Sequence, residues 1–338
     1  MNFQDTLSLL AQKKNLTQEQ ATRAFQILMN GGATPAQMAA FLMGLRMKGE
    51  TAQEITAGAV VLRAKAPRIN APTGCMDTCG TGGDQRGTYN ISTAAAFVLA
   101  ACGVPVAKHG NRSVSSRSGS ADVLAALGVK IDADIPVLER CLRECNIAFL
   151  HAPKFHSAMR HVAPVRQELG LRTVFNLIGP LSNPAAPDYQ LVGVYSESWL
   201  EPMAQALKEL GCKAAWVVHG SDGLDELTLT GATQVVALKD GAITRFEVTP
   251  EDAGLARASL EELKGGSAEE NAKALQDAIS GMESAYRRAV VLNTAAALVV
   301  CGKAASLADG VARAAEAIDS GAAFGILQKL ISLSHERS

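Results

Sequence analysis

From residue 74 onward short apolar runs alternate with longer stretches of helical periodicity, and this alternation constrains the fold more than any other feature of the chain. The runs at 104–107, 148–150, 191–194, 215–218 and 234–238 have strand length. Helical stretches at 92–101, 121–127, 136–144 and 199–210, and several Ala-rich ones after Glu269, lie between and beyond them. Strands separated by helices return to a sheet by crossovers, so the pattern predicts an α/β domain with a largely parallel sheet. A proline-rich interlude from Gly179-Pro180 to Pro187 is expected to separate two parts of that domain.

The first 66 residues read differently. Thr17-Gln18-Glu19-Gln20 and Thr51-Ala52-Gln53-Glu54 both fit the capping box, in which the first hydroxyl and the third side chain satisfy each other's amides. Thr34-Pro35 adds a cap followed by proline where its missing N–H costs nothing. Gly31-Gly32 and Gly49 close the helices before them. Phe41, Leu42 and Leu45, then Ile55, Val60 and Val61, recur at helical spacing. The expected organisation is a small helical domain over 1–70, joined by residues from about 165–187, and an α/β domain over 71–338. The segment 66–73, with Pro67 and Pro72, is the expected hinge.

Composition narrows the function. Lys plus Arg total 32 and Asp plus Glu 33, so no whole-chain field draws this protein to nucleic acid or anionic lipid. Its longest charge-free apolar run, 91–107, is shorter than the ~20 residues of a membrane helix and holds Gly103-Val104-Pro105. The start of the chain has an early Asp5 and no long apolar core, unlike a secretory signal. Seven scattered cysteines without a CxxC pair read as reduced thiols, and the expected compartment is cytoplasmic.

Four stretches carry chemistry. Asp77-Thr78-Cys79-Gly80-Thr81-Gly82-Gly83-Asp84 leads into Asn90-Ile91-Ser92-Thr93 at a helix start, where free amides and a partial positive charge make an anion site. Its spacing matches neither a dinucleotide fingerprint nor a P-loop, and a plain turn capped by Ser92 or Thr93 is the competing reading. Residues 108–120, KHGNRSVSSRSGS, hold three positive charges (Lys108, Arg112 and Arg117) in a chain of net charge −1. They lack the aromatics of a nucleic-acid platform, so a phosphate cradle suits them better, with Ser120 as the cap of the next helix. His219-Gly220-Ser221-Asp222-Gly223-Leu224-Asp225-Glu226 follows a strand, at the end where α/β proteins bind ligands. Adjacent carboxylates there suit Mg²⁺, which takes one or two of them with phosphate oxygens and water; a solvated acidic turn is the alternative. Last, His156, Arg160, Arg166 and Arg172 place arginine forks that match a carboxylate, or serve as ordinary surface charges.

Together GTGGD (80–84), NIST (90–93), KHGNRSVSSRSGSADVLAALG (108–128), PVRQELGLRTVFNLIGPLSNP (164–184) and HGSDGLDE (219–226) resemble the anthranilate phosphoribosyltransferase family of the nucleoside-phosphorylase class II (glycosyltransferase family 3) superfamily. The resemblance spans nearly the whole chain. It implies transfer of the phosphoribosyl group of phosphoribosyl pyrophosphate to anthranilate in tryptophan biosynthesis, with Mg²⁺, by a cytoplasmic homodimer joined through its helical domain. It implies donor contacts at Gly80, Gly83, Asp84, Thr88, Asn90, Ile91, Ser92, Thr93, Lys108, His109, Gly110, Asn111, Arg112, Ser113, Val114, Ser115, Ser116 and Ser120. Metal contacts fall on Ser92, Asp225 and Glu226. Anthranilate contacts fall on Gly80, Asn111 and Arg166, with Arg166 meeting the carboxylate, and on His109 and His156.

Chemistry of this kind needs charge stabilisation, here from Lys108, Asn111 and Ser92, and no single acid or base, because an aromatic amine is neutral at pH 7 and attacks as it stands. Gln85-Arg86 departs from the family, which commonly has glycine after the aspartate; Ser157 and His151 depart as well. A related transferase or nucleoside phosphorylase with another acceptor, or a nucleic-acid-binding relative without catalysis, are the alternative readings.

Overall fold

The computed structural model describes residues 2–112 and 118–336. Helices α1 (Phe3–Ala11), α2 (Gln18–Met29), α3 (Pro35–Lys48) and α4 (Ala52–Lys65) each open on a capping box: Asn2 with Asp5, Thr17 with Gln20, Thr34 with Gln37, Thr51 with Glu54. Each cap is worth about 1 kcal/mol. Glu54 does more than cap. Buried completely, it accepts from Lys48 Nζ at 2.8 Å and from Leu16 N–H at 2.9 Å, tying three segments of the layer together. Val60, expected inside, is 40% exposed, while Phe41, Leu42, Leu45, Ile55 and Val61 are buried.

The rest of the chain builds one seven-stranded sheet of order β3-β2-β1-β4-β5-β6-β7. In chain order come β1 (Met76–Gly80), α5 (Ile91–Ala101), β2 (Val106–Gly110), α6 (Ser120–Ala126), α7 (Ile135–Cys145) and β3 (Ile147–His151). A helical excursion follows: α8 (Ala152–Phe155), a 3₁₀ turn at Ser157–His161, α9 (Ala163–Leu169) and α10 (Phe175–Leu181). Then come β4 (Tyr189–Gly193), α11 (Leu200–Glu209), β5 (Ala214–Gly220), β6 (Thr233–Lys239) and β7 (Ala242–Val248). Helices α12 (Ala268–Ile279), α13 (Ala285–Val300), α14 (Leu307–Asp319) and α15 (Ala322–His335) complete the chain. Strands β1 to β5 run parallel; β6 and β7 are antiparallel additions at one edge.

Period-2 alternation sends the two faces of the sheet into different cores. Met76, Leu191, Val218 and Val235 face the core built by α5, α7 and α12–α15, whereas Cys79, Val192, Val217 and Val236 face the second. That second core is continuous with the N-terminal helices through Val165 of α9, Ile178 of α10 and Leu207 of α11. Gly179 and Pro180, expected in an irregular interlude, lie inside α10, which packs on α4. All seven cysteines are free, and among the described residues no helix is long and apolar enough to cross a membrane.

Candidate active site

The sheet order reverses between β1 and β4: β1 connects onward to one side and β4 to the other. Ligands of parallel sheets lie outside the strands' carboxyl ends at such a switch point. Here those ends are Gly80 and Gly193, paired in register. The loop after β5 crosses directly over them. A Cβ on Gly193 would stand 1.5 Å from the Asp225 carbonyl oxygen, and one on Gly80 2.4 Å from Asp225 Oδ2. Both positions therefore need glycine so that Asp225 can enter.

Asp225 and Glu226 are held by amides of the β1–α5 loop. Gly82 N–H donates to Asp225 Oδ2 at 2.7 Å, and Ser92 N–H, in the first turn of α5, donates to Glu226 Oε1 at 3.1 Å. Neither Ser92 nor Thr93 caps this helix, as the turn reading had it; Asn90 is at the cap position without a side-chain capping bond, and a carboxylate from another loop satisfies the Ser92 amide. Burial raises the pKa of both acids, and proximity adds to it, from Asp84 for Asp225 and from Asp225 for Glu226; Lys108 pulls Glu226 back. The loop behind them is fixed by buried Asn293 of α13, which receives Leu227 N–H at 3.0 Å and donates to its carbonyl at 3.0 Å.

These residues fit Mg²⁺. Among the described residues no three His, Cys, Asp or Glu side chains form a ready cage, and Mg²⁺ does not ask for one: two carboxylates with water and phosphate oxygens suffice. The repulsion between two buried carboxylates is what a divalent cation relieves.

The cationic stretch divides in three. Lys108, His109 and Gly110 are the end of strand β2, not loop. Lys108 is buried, its Nζ donating to Thr78 O at 2.5 Å and to Ser92 Oγ at 3.3 Å, so its charge lies beneath the acidic pair. Exposed Arg112 pairs with Asp122 at 2.7 Å. Ser113, Val114, Ser115, Ser116 and Arg117 lie outside the described residues. Ser120 is not the cap of α6; Gly119 is, its N–H donating to Asp122 at 3.0 Å, while Ser120 Oγ donates to the Asn111 carbonyl at 3.3 Å. Ile91 and Thr93 face the interior; the Ile91 N–H donates to the Tyr89 carbonyl at 2.9 Å, which leaves the Thr93 amide as what this turn offers a ligand.

On the other side of the cleft the helical excursion brings up the remaining candidates. Of its arginines, Arg160 leans on His161 at the surface and Arg172 bonds the Gly83 carbonyl. Arg166 lies over the Phe175 ring at 5.3 Å and its guanidinium, among the described residues, makes no hydrogen bond or ion pair; burial alone lowers its pKa. Its fork is the available one. His156 meets His109 with Nε2 to Nε2 at 3.1 Å. Burial above all pushes His109 down to about 3 and His156 down to about 4, so both rings are neutral near pH 7.

Residues 4–66 match the helical bundle domain of the glycosyl transferase family, and residues 73–324 match its a/b domain. Anthranilate phosphoribosyltransferase of Rhodospirillum rubrum is 57% identical over 97% of this chain and 94% of its own length. The enzyme of Azospirillum brasilense is 57% identical over 97% and 92%. The chain belongs to the anthranilate phosphoribosyltransferase family. Its fold superposes on the anthranilate phosphoribosyltransferase of Thermus thermophilus with a TM-score of 0.93, at 44% identity, covering 98% of this chain and 100% of that one. The Saccharomyces cerevisiae anthranilate phosphoribosyltransferase, solved with phosphoribosyl pyrophosphate and Mg, superposes at 0.90 with 26% identity, covering 98% and 97%.

Around this cleft the contacts made by Asp77 and Thr88, and the groups Tyr89, Tyr286 and Asn271 altogether, escape a reading of motifs. Asp77, fully buried, accepts from Asn183 Nδ2 at 2.8 Å and from His109 N–H at 3.3 Å, and burial pushes it up to about 6. Tyr286 stacks on Tyr89, its hydroxyl donating to the Asn90 carbonyl at 3.1 Å, and Asn271 donates to Asn90 Oδ1 at 3.0 Å. Thr88 bridges to Lys264 as an isolated antiparallel pair. A signal existed only for Asn293, a lone amide in an Ala- and Val-rich helix.

Proposed function

We propose that this protein transfers the 5-phosphoribosyl group of phosphoribosyl pyrophosphate to the amine of anthranilate, releasing pyrophosphate, a step of tryptophan biosynthesis. The observation that carries the reading is the acidic pair Asp225–Glu226, held at 2.7 and 3.1 Å by amides of the β1–α5 loop. Carboxylates buried beside phosphate-ready amides have a chemical use when a metal-bound polyanion arrives. The Saccharomyces cerevisiae relative was solved with 4-fluoroanthranilate as well as with the donor.

The donor's phosphates would lie against the amides of Gly83, Asp84 and Thr93, with Thr88, Asn90, Ile91, Ser92, Lys108, Ser120 and the loop from Asn111 around them. Asp225, Glu226 and the Ser92 hydroxyl would hold Mg²⁺, whose charge, when bound, offsets that of the departing pyrophosphate. As the ribose carbon–oxygen bond breaks, negative charge grows on that group. Lys108 and the fixed amides stabilise it without reorganising, because tertiary contacts already hold them. The neutral amine forms the new carbon–nitrogen bond and gives its proton to water afterwards. Neutral His109 and His156 suit the flat ring of the acceptor, and Arg166 receives its carboxylate in the two-pronged geometry of a fork.

The helical layer (1–70, with α9 and α10) and the α/β part (71–338) would act as two domains of a cytoplasmic homodimer. Exposed Met47 and Val60 on α3 and α4 support association through that layer. Loss of anthranilate fluorescence on adding donor and Mg²⁺ tests the reading; no consumption at micromolar enzyme sinks it.

A further inference from the structure

The donor loop and the acceptor-bearing segment are joined by one side chain. Arg172 Nη2 donates to the Gly83 carbonyl. Its guanidinium lies over the Tyr195 ring, 4.2 Å from the centroid. Tyr195 N–H donates in turn to Thr81 Oγ1 at 3.0 Å, and Thr81 N–H to the Gly193 carbonyl at 2.9 Å. The contacts close a ring through Gly83, Arg172, Tyr195 and Thr81. From the other direction Arg46 of α3 donates to Arg172's own carbonyl, fixing its backbone to the helical layer. Arg166 lies six residues upstream on the same segment. Among the described residues Arg172 makes no ion pair, so it is held by a carbonyl and a ring face, and stacking on the ring face suits a planar guanidinium rather than an ammonium.

We propose that Arg172 is a positioning residue that holds the GTGGD loop to the acceptor-bearing segment and thereby sets the loop for the donor. The proposal rests on the transferase reading above and adds a coupling to it. When Arg172 lets go, Gly83 and Asp84 keep their places in the chain but lose the contact that orients their peptides, while Arg166 keeps its fork.

The test measures donor binding by calorimetry with phosphoribosyl pyrophosphate and Mg²⁺, KM for both substrates, kcat and melting temperature. It covers wild type, Arg172→Ala, Arg172→Lys, Tyr195→Ala and Tyr195→Phe. We expect Arg172→Ala to weaken donor binding about tenfold or more, the loss typical of a charged hydrogen bond. The anthranilate KM should stay within about twofold. Lysine, which keeps the charge without the fork, should recover less than half of the loss, and Tyr195→Ala should act in the same direction, non-additively with Arg172→Ala. Tyr195→Phe should match wild type. Unchanged donor binding in Arg172→Ala overturns the proposal, as does full recovery by lysine or a parallel loss of both substrates with a fall in melting temperature. A wild type that neither binds the donor nor turns over would instead overturn the transferase reading, so the two failures are distinct.

Discussion

In the proposed site, the donor side and the acceptor side of the cleft are built to different rules. On the donor side the charged groups at the strand ends are engaged: Lys108 with Thr78 and Ser92, Asp225 with Gly82, Glu226 with Ser92. On the acceptor side polar atoms are left over. The Arg166 guanidinium has no polar partner among the described residues, and His156 Nδ1 is buried without one. A buried polar atom without a partner costs roughly 1–3 kcal/mol. The difference teaches where binding energy comes from. On the proposed assignment the donor would meet a surface whose geometry is set in advance, whereas the acceptor would supply the missing bonds itself.

The largest break in that comparison is to remove donor-side charge. Glu226→Gln or Asp225→Asn should lower kcat/KM for phosphoribosyl pyrophosphate by about 10²–10³-fold, the range for deleting one preorganised electrostatic group. The Mg²⁺ concentration for half-maximal rate should rise with it; an unaltered Mg²⁺ requirement would refute the metal assignment. Next in size, Arg166→Ala should raise the anthranilate KM about 10–100-fold, as loss of a charge-assisted bond does. The donor KM should stay within about twofold. If both constants rise together, the two sides are not separable in the way described.

Much of the donor side was legible because its residues are contiguous motifs: GTGGD, NIST and HGSDGLDE are glycine and acid patterns whose chemistry follows from residue type. On residue type alone the acceptor side was a choice among Arg160, Arg166 and Arg172; the family resemblance singled out Arg166, whose guanidinium, unlike the other two, has no hydrogen-bond partner among the described residues. In the fold, β1 was hidden because Asp77 and Thr78 are polar residues in a buried strand, where Asn183 and Ser92 satisfy them. Strand β7 was missed although Asp240-Gly241, both with positive φ, carries the hairpin signal; its exposed face made it look like loop. Lys108 read as loop charge because no pattern along the chain reports that an ammonium group bonds a carbonyl in the middle of a neighbouring strand.

The histidine pair offers a smaller, pH-dependent test of the acceptor side. The folded protein holds His109 and His156 neutral down to about 3 and about 4, against 6.5 for a free imidazole. As pH falls below 6.5 the unfolded chain takes up protons at both positions and the folded one does not, so stability falls. By pH 5 each histidine should cost about 2 kcal/mol relative to pH 7. Asp77 opposes this, since a carboxyl raised to about 6 favours the folded form as pH drops through that value. Melting temperatures at pH 7 and pH 5 for wild type and for His109→Asn/His156→Asn isolate the histidine part. Wild type should lose more over that interval; equal losses would mean that the pair is not held neutral.

The smallest effect sharpens the claim that donor-side geometry is imposed from outside the loop. Gln85 has φ +62°, a left-handed conformation that costs a side-chain residue about 1 kcal/mol relative to glycine. The family commonly has glycine there. Contacts on either side hold the backbone in that shape: Arg86 N–H donates to Asp84 at 3.1 Å, and the Arg86 guanidinium lies against Gly223, where a Cβ would stand 2.6 Å from Nη2. Gln85→Gly should therefore stabilise the protein by about 0.5–1 kcal/mol, read from the denaturant midpoint at constant m. If tertiary contacts set the loop, its shape is the same with either residue, and the donor KM should stay within about twofold. A donor KM that moves severalfold with Gln85→Gly would mean that residue 85 itself shapes the loop, and the donor side would then be as locally adjustable as the acceptor side.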